Sequence, residues 1–256
     1  MLLKNRVIPC LLLSDGGLVK TRKFASPKYI GDPINAIRIF NEKEVDELMV
    51  LDITVSKEQR DPDYDLIAQF AGECFMPLAY GGGIRTIEQA RQLFALGVEK
   101  ICLQTAVLED ASLINRLADQ FGQQSVMVSV DVKKDLLGHY KLWTALTGKT
   151  LPGDWVTYMM QSVQFGAGEI LLNAVDRDGM MQGMDLVMIR RAAESITVPL
   201  IAVGGVGSLS DIKAAVDAGA SAVAAGAFFV FHGPHRAVLI TYPSYNELKD
   251  LFMLIK

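Results

Sequence analysis

Asp131 ends an apolar run, Val126 to Val130. A carboxylate in that position meets little solvent and can serve as a general acid or base; it can equally cap its loop or pair with Lys133 or Lys134. Two glycine-rich turns, Gly81 to Gly83 and Gly204 to Gly205, each lead toward a helical segment. Unpaired N–H groups at a helix start favour an anion and glycine lets the backbone approach it, so each turn is either a phosphate cradle or a tight connection. Four charges of balanced sign, Arg6, Glu47, Lys100 and Glu169, stand at the starts of apolar runs.

These residues need a frame that gathers strand ends. Runs rich in Val, Ile and Leu recur near Val7 to Leu13, Glu47 to Ile53, Pro77 to Tyr80, Lys100 to Gln104, Ser125 to Asp131, Glu169 to Ala174, Leu200 to Val203 and Ser221 to Ala225. Each is followed by a loop and a segment of helical periodicity, the pattern of buried parallel strands with crossover helices. The spacing predicts an α/β fold, a single (β/α)8 barrel over 1–256. Asp32-Pro33 marks one helix start, with Ile34, Ile37 and Phe40 behind it, and Gly97 ends the helix carrying Ala90, Leu93 and Phe94. The stretch Asp135 to Gly153 interrupts the rhythm and is expected to form a hairpin on the fifth loop.

The chain also repeats itself. Gly81 to Gly83, a helix, then Gly97 to Gln104 returns as Gly204 to Val206, a helix, then Gly219 to Gly226. Two half-barrels follow, about 1–123 and 124–240, with a closing helix about 244–256. Two related turns imply a ligand with a phosphate at each end. In a closed barrel Asp15, Asp52, Gln104, Thr105, Asp131, Asn173 and Asp176 to Gly179 gather at the strand C-terminal ends, where such folds carry chemistry. The four charges converge on the opposite end, where two of each sign read as a neutral plug.

Composition removes several alternatives. With 25 Lys plus Arg against 29 Asp plus Glu, the net charge is −4, and no dense basic stripe is present, so nucleic acid is not an expected partner. Half the residues are apolar, ample for a large core, yet no stretch approaches the ~20 residues of a membrane span. Cys10, Cys74 and Cys102 are scattered among apolar runs and read as small hydrophobes, which favours a cytoplasmic location. Gly233 and Pro234 break the spacing of His232 and His235, so no metal or cofactor is expected.

Taken together, Arg6 with Cys10, Asp46-Glu47-Leu48 running into Leu51-Asp52-Ile53-Thr54, Gly81 to Gly83, Asp131 with Lys133, Gly168 to Leu172, Asp176 to Gly179 and Gly204-Gly205 resemble the cyclase subunit family of imidazole glycerol phosphate synthase. The resemblance runs from residue 1 to about residue 230. It implies a heterodimer in which a glutaminase subunit docks at the barrel bottom. Its ammonia passes a gate matching Arg6, Glu47, Lys100 and Glu169, which turns the plug into a conduit. A two-phosphate ribulosyl substrate at the top is then converted to imidazole glycerol phosphate and aminoimidazole carboxamide ribotide. Phosphate-holding positions match Gly83, Gln104, Thr105, Asp178, Gly179, Gly205 and Gly226, although Gln104 stands for the usual asparagine and Gly226 for the usual serine.

Of the family's two catalytic aspartates, one matches Asp131. The other does not survive: the family reads Cys-Leu-Asp-Val-Lys-Asp-Gly where this chain reads Cys10-Leu11-Leu12-Leu13-Ser14-Asp15-Gly16, leaving Leu12 at the position of the acid. Asp15 matches a different loop aspartate. Lys20 to Phe24, Tyr29 to Asn35 and Phe231 to Ile240 are similar to a second branch of the family, the paralogues associated with saccharide synthesis. That branch implies ammonia supplied to an N-acetylsugar amidotransferase, with the barrel as conduit and docking partner.

Overall fold

The computed structural model describes residues 5–233 and 235–253. Eight parallel strands form the frame: β1 (Arg6–Ser14), β2 (Leu48–Asp52), β3 (Leu78–Gly81), β4 (Lys100–Leu103), β5 (Val126–Lys134), β6 (Glu169–Ala174), β7 (Leu200–Val203) and β8 (Ala222–Ala225). Each pairs with its successor, β8 pairs with β1, and the ring closes as the expected (β/α)8 barrel.

Side-chain alternation decides which residues see the interior. On β1, Val7, Leu11 and Leu13 pack outward against the helices, while Ile8, Cys10 and Leu12 belong to the inner cluster. On β5, Val126, Val128, Val130 and Val132 face outward, so Met127, Ser129 and Asp131 take the inward parity. The inner cluster is slim, with Ala79, Ala222 and Ala224 among its members.

The helix starts expected from sequence are capped. The Asp32 carboxylate accepts the Asn35 N–H at 2.9 Å ahead of the helix Pro33–Glu42, whose Pro33, Ala36, Ile37 and Phe40 are buried. Thr86 and Gln89 form a reciprocal capping box on Ile87–Ala95, and Ser208 caps Leu209–Asp217 at the equivalent place in the second half. The closing helix spans Tyr245–Met253; residues 254–256 of the expected range, like residues 1–4 of the first half-barrel, lie outside the described residues. Among the described residues no helix is long and apolar enough to cross a membrane.

Two loops build structure of their own. After β5 the chain returns through Tyr140–Thr144 and Lys149–Thr150 as an antiparallel extension, within the stretch expected to be a hairpin. The first loop is more ordered than its sequence suggested. Asp15 and Gly16 turn the chain at positive φ (51° and 75°), so Gly17–Arg22 folds back on β1 with Val19 opposite Leu12, and Ala25–Gly31 adds a further strand. Cys74 departs from the buried-hydrophobe expectation, being half-buried with its Sγ 2.9 Å from Met76 Sδ; Cys10 and Cys102 are buried inside the barrel.

Candidate functional site

The strand starts bring the four charges into contact. Arg6 bonds Glu47 and lies 2.7 Å from Glu169; Lys100 lies 3.2 Å from Glu47 and 3.0 Å from Glu169. Each cation thus bridges both carboxylates, and the ring is neutral in sum. Glu47 and Glu169 are buried, and although desolvation works against the Arg6 charge, the two carboxylates outweigh it and raise its pKa. The slim inner cluster lies directly above this ring along the barrel.

At the opposite end the strand termini enclose a cavity of about 380 Å³. Every position expected to hold phosphate lines it: Gly83, Gln104, Thr105, Asp178, Gly179, Gly205 and Gly226. Asp131 and Leu12 line it too, as do Asp52, Asn173 and Lys20. The turns at Gly82 and Gly204 share one steric cause: an added Cβ would come within 2.6 Å of the Asp52 carbonyl and 2.8 Å of the Ala174 carbonyl, and both residues have positive φ.

Asp131 is 4% exposed. Its carboxylate accepts from Ser129 Oγ at 3.0 Å and Gln104 Nε2 at 2.5 Å. Desolvation pushes its pKa up to about 7, against the pull of hydrogen bonds from Ser129, Gln104 and Asn173. A carboxyl poised near neutrality can both give and take a proton, as acid-base chemistry requires. The same shift has a stability signature. Between about pH 4 and 7 the unfolded chain ionises this carboxyl while the folded chain keeps its proton, so stability falls across that window and stays lower above it. Asp131→Asn should match the natural protein at acid pH and exceed it by a few kcal/mol above about pH 8. Urea titrations at a series of pH values check this, and parallel stability curves would contradict it.

Leu12 is partly buried, packed with Leu51 and Val203 over the inner cluster. Asp15 sits in the turn beyond it, with its side chain 74% exposed and Arg60 at 3.9 Å, outside the cavity lining. Several expected phosphate positions carry other contacts as well. The Gln104 amide is turned to Asp131, and the Gly83 N–H donates to Ser56 Oγ at 3.1 Å. Asp178 accepts from Thr21 Oγ1 at 2.6 Å and the Phe24 N–H at 3.0 Å, and its carbonyl takes the Lys23 N–H at 3.0 Å, so it clamps the first loop over the mouth. Arg236 straps the same β6 loop through the carbonyls of Gly179 and Met180.

Sequence reasoning did not assign Lys20 and Thr21, both buried. The signal was present: Asp15-Gly16 between apolar residues is a hairpin turn, and it folds the following segment back onto the site. Asp52, expected at the end of its strand, is in place. It lines the cavity, accepts from the Thr54 and Val55 N–H groups, and is pushed up in pKa by burial.

A family model described as histidine biosynthesis protein matches residues 6–234. A protein of Pseudomonas aeruginosa PAO1 is 53% identical over 251 residues, covering 96% of this chain and 99% of its own length. One from Leptospira interrogans is 49% identical over 257 residues (98% and 100%), and one from Vibrio vulnificus YJ016 is 48% identical over 255 residues (99% and 98%). All three carry provisional names as imidazole glycerol phosphate synthase subunits of the HisF type.

Proposed function

The chain belongs to the histidine biosynthesis protein family, and from that premise we propose that it is a cyclase-subunit homologue that pairs with a glutaminase and receives or conducts its ammonia. In this reading the ammonia serves amidation of a sugar in surface-polysaccharide synthesis. The glutaminase docks below the charged ring, and an N-acetylsugar amidotransferase takes ammonia above. One juxtaposition carries the reading: the ring of Arg6, Glu47, Lys100 and Glu169 is complete, while Leu12 lines the mouth where the family's first acid belongs. A leucine transfers no proton, so the conduit is kept where half of the acid-base pair is gone.

The second reading is an authentic histidine-pathway cyclase. The buried Asp131, titrating near neutrality in the same cavity as both glycine turns, favours it. In either case Gly83, Thr105, Gly205 and Gly226 hold a phosphorylated ligand.

Nitrogen tracing tests the first reading. The protein is combined with the glutaminase subunit and the N-acetylsugar amidotransferase of its own organism, that enzyme's sugar acceptor, glutamine labelled with ¹⁵N in the amide, and an excess of unlabelled ammonium. Expected are a one-to-one complex and label delivered to the sugar acceptor ahead of bulk ammonium. Absence of the complex, or label that first equilibrates with bulk ammonium, would sink the conduit role.

A further inference from the structure

A second cleft lies outside the barrel interior, between the hairpin that extends β5, the loop after β6 and the start of the helix Leu186–Ala193. Its volume is about 310 Å³, within the range of small-molecule sites. Among the described residues, none that lines it also lines the cavity at the barrel mouth. Val132, Ala174, Met180 and Met188 give it apolar walls. Charges of both signs share that space, Lys134 and Arg177 with Asp176 and Asp185.

The fold itself uses up one of these carboxylates. Asp185 caps its helix through the Met188 N–H at 3.2 Å, accepts the Tyr140 hydroxyl at 2.7 Å and pairs with Lys134 at 2.9 Å, which ties the hairpin to the helix. Asp176 and Arg177 are different. Asp176 takes the Lys134 N–H on one oxygen at 2.7 Å, and its other oxygen accepts no hydrogen bond among the described residues. Arg177 spends Nη1 on the Gly183 carbonyl at 2.7 Å, while its Nη2 donates to none of the described residues. The cleft therefore offers one spare anionic acceptor and one spare cationic donor beside apolar walls. A plain anion there would meet Asp176 and Asp185, and a plain cation would meet Lys134 and Arg177. A ligand with one charge of each sign satisfies both.

We propose that this cleft is a second ligand site and that it takes a free aliphatic α-amino acid. The ligand's ammonium pairs with Asp176, its carboxylate with Arg177, and its side chain covers the apolar walls. The site is placed to act on the barrel mouth. Asp176 and Arg177 belong to the single helical turn Val175–Arg177, and the next residue, Asp178, lines the main cavity and clamps the first loop through the Lys23 and Phe24 N–H groups. The Gly183 carbonyl that Arg177 holds belongs to a residue whose N–H donates to the Gly205 carbonyl at 2.9 Å, so the second glycine turn is braced from the same side. A ligand that fixes Asp176 and Arg177 thus tightens the clamp over the mouth.

The probe is L-leucine, titrated calorimetrically into the full chain. Isocaproate, which lacks the amino group, and isoamylamine, which lacks the carboxyl group, serve as one-charge controls. Leucine should bind about tenfold or more tightly than either. Asp176→Asn keeps an acceptor for the Lys134 N–H but loses the charge, and Arg177→Met keeps an unbranched chain without the guanidinium; each should weaken leucine binding about tenfold or more. Should Arg177→Met fold poorly, Asp176→Asn decides alone. Leucine should also slow hydrogen exchange at the Lys23 and Phe24 amides severalfold, an effect that loose adhesion to the surface would not produce and that Asp176→Asn should abolish. No binding of leucine, equal binding of either one-charge control, or undiminished affinity in Asp176→Asn would each overturn the site. Unchanged exchange at the two amides in the leucine complex would overturn its coupling to the mouth.

Discussion

With ammonium in excess, Leu12→Asp is expected to turn over the two-phosphate ribulosyl substrate about 10²- to 10⁴-fold faster than the natural protein. That span is what a positioned acid or base contributes, roughly 3 to 5 kcal/mol of barrier. The geometry favours a direct effect. The alternation on β1 that sends Leu11 and Leu13 outward sends residue 12 into the cavity that Asp131 also lines. Aspartate is smaller than leucine, so it fits without displacing Leu51 or Val203, whose apolar surfaces raise its pKa toward a useful range. Rates should follow a bell-shaped pH profile reporting the two carboxyls as a pair. Supplying ammonium bypasses the glutaminase, so the comparison isolates ring closure. A natural protein as fast as the variant would make this a working histidine-pathway cyclase and strip Leu12 of its significance. Inactivity of both would show that the cavity has lost the ribulosyl substrate altogether.

The barrel was legible because parallel strands covered on both sides read as unbroken apolar runs, and a closed ring of such strands leaves few arrangements. The charged ring was legible for a related reason. Residues at equivalent strand starts must converge, and Arg6, Glu47, Lys100 and Glu169 did so with each cation between two carboxylates. Contacts made by loops were not legible. The Thr21 to Asp178 bond joins positions 157 apart in sequence, and nothing local in either segment specifies it. Gln104 shows the same limit. Its place at the end of β4 follows from pattern, but its choice of the Asp131 carboxylate depends on how neighbouring strands stagger. The first loop stood between these cases, since Asp15-Gly16 announced a turn while the burial of Lys20 required knowing that the folded-back strand brings it beside Gly226.

The ring itself should prove costly to break and cheap to neutralise. Glu47 is 2% exposed and faces both Arg6 and Lys100, so Glu47→Met leaves two cations sharing Glu169. Removing one partner of a buried charge pair typically costs about 3 to 5 kcal/mol, a large fraction of the ~5 to 15 kcal/mol that separates folded from unfolded chains. In a chain of this size that corresponds to a fall of roughly 10 °C in thermal midpoint. Adding Lys100→Met restores neutrality, because Arg6 and Glu169 still pair at 2.7 Å, and most of the lost stability should return. The double variant then separates two roles that the natural ring combines. If the ring only plugs the barrel, its apolar replacement should leave delivery of labelled glutamine nitrogen unchanged. If it is the entrance through which ammonia passes, the refilled barrel should fold well yet deliver little label, because two apolar methionines replace the polar groups that line that entrance. Stable folding with lost delivery is the expected result. Full delivery through the methionine plug would refute the gate, and a double variant no more stable than Glu47→Met would refute the charge balance inferred from the ring.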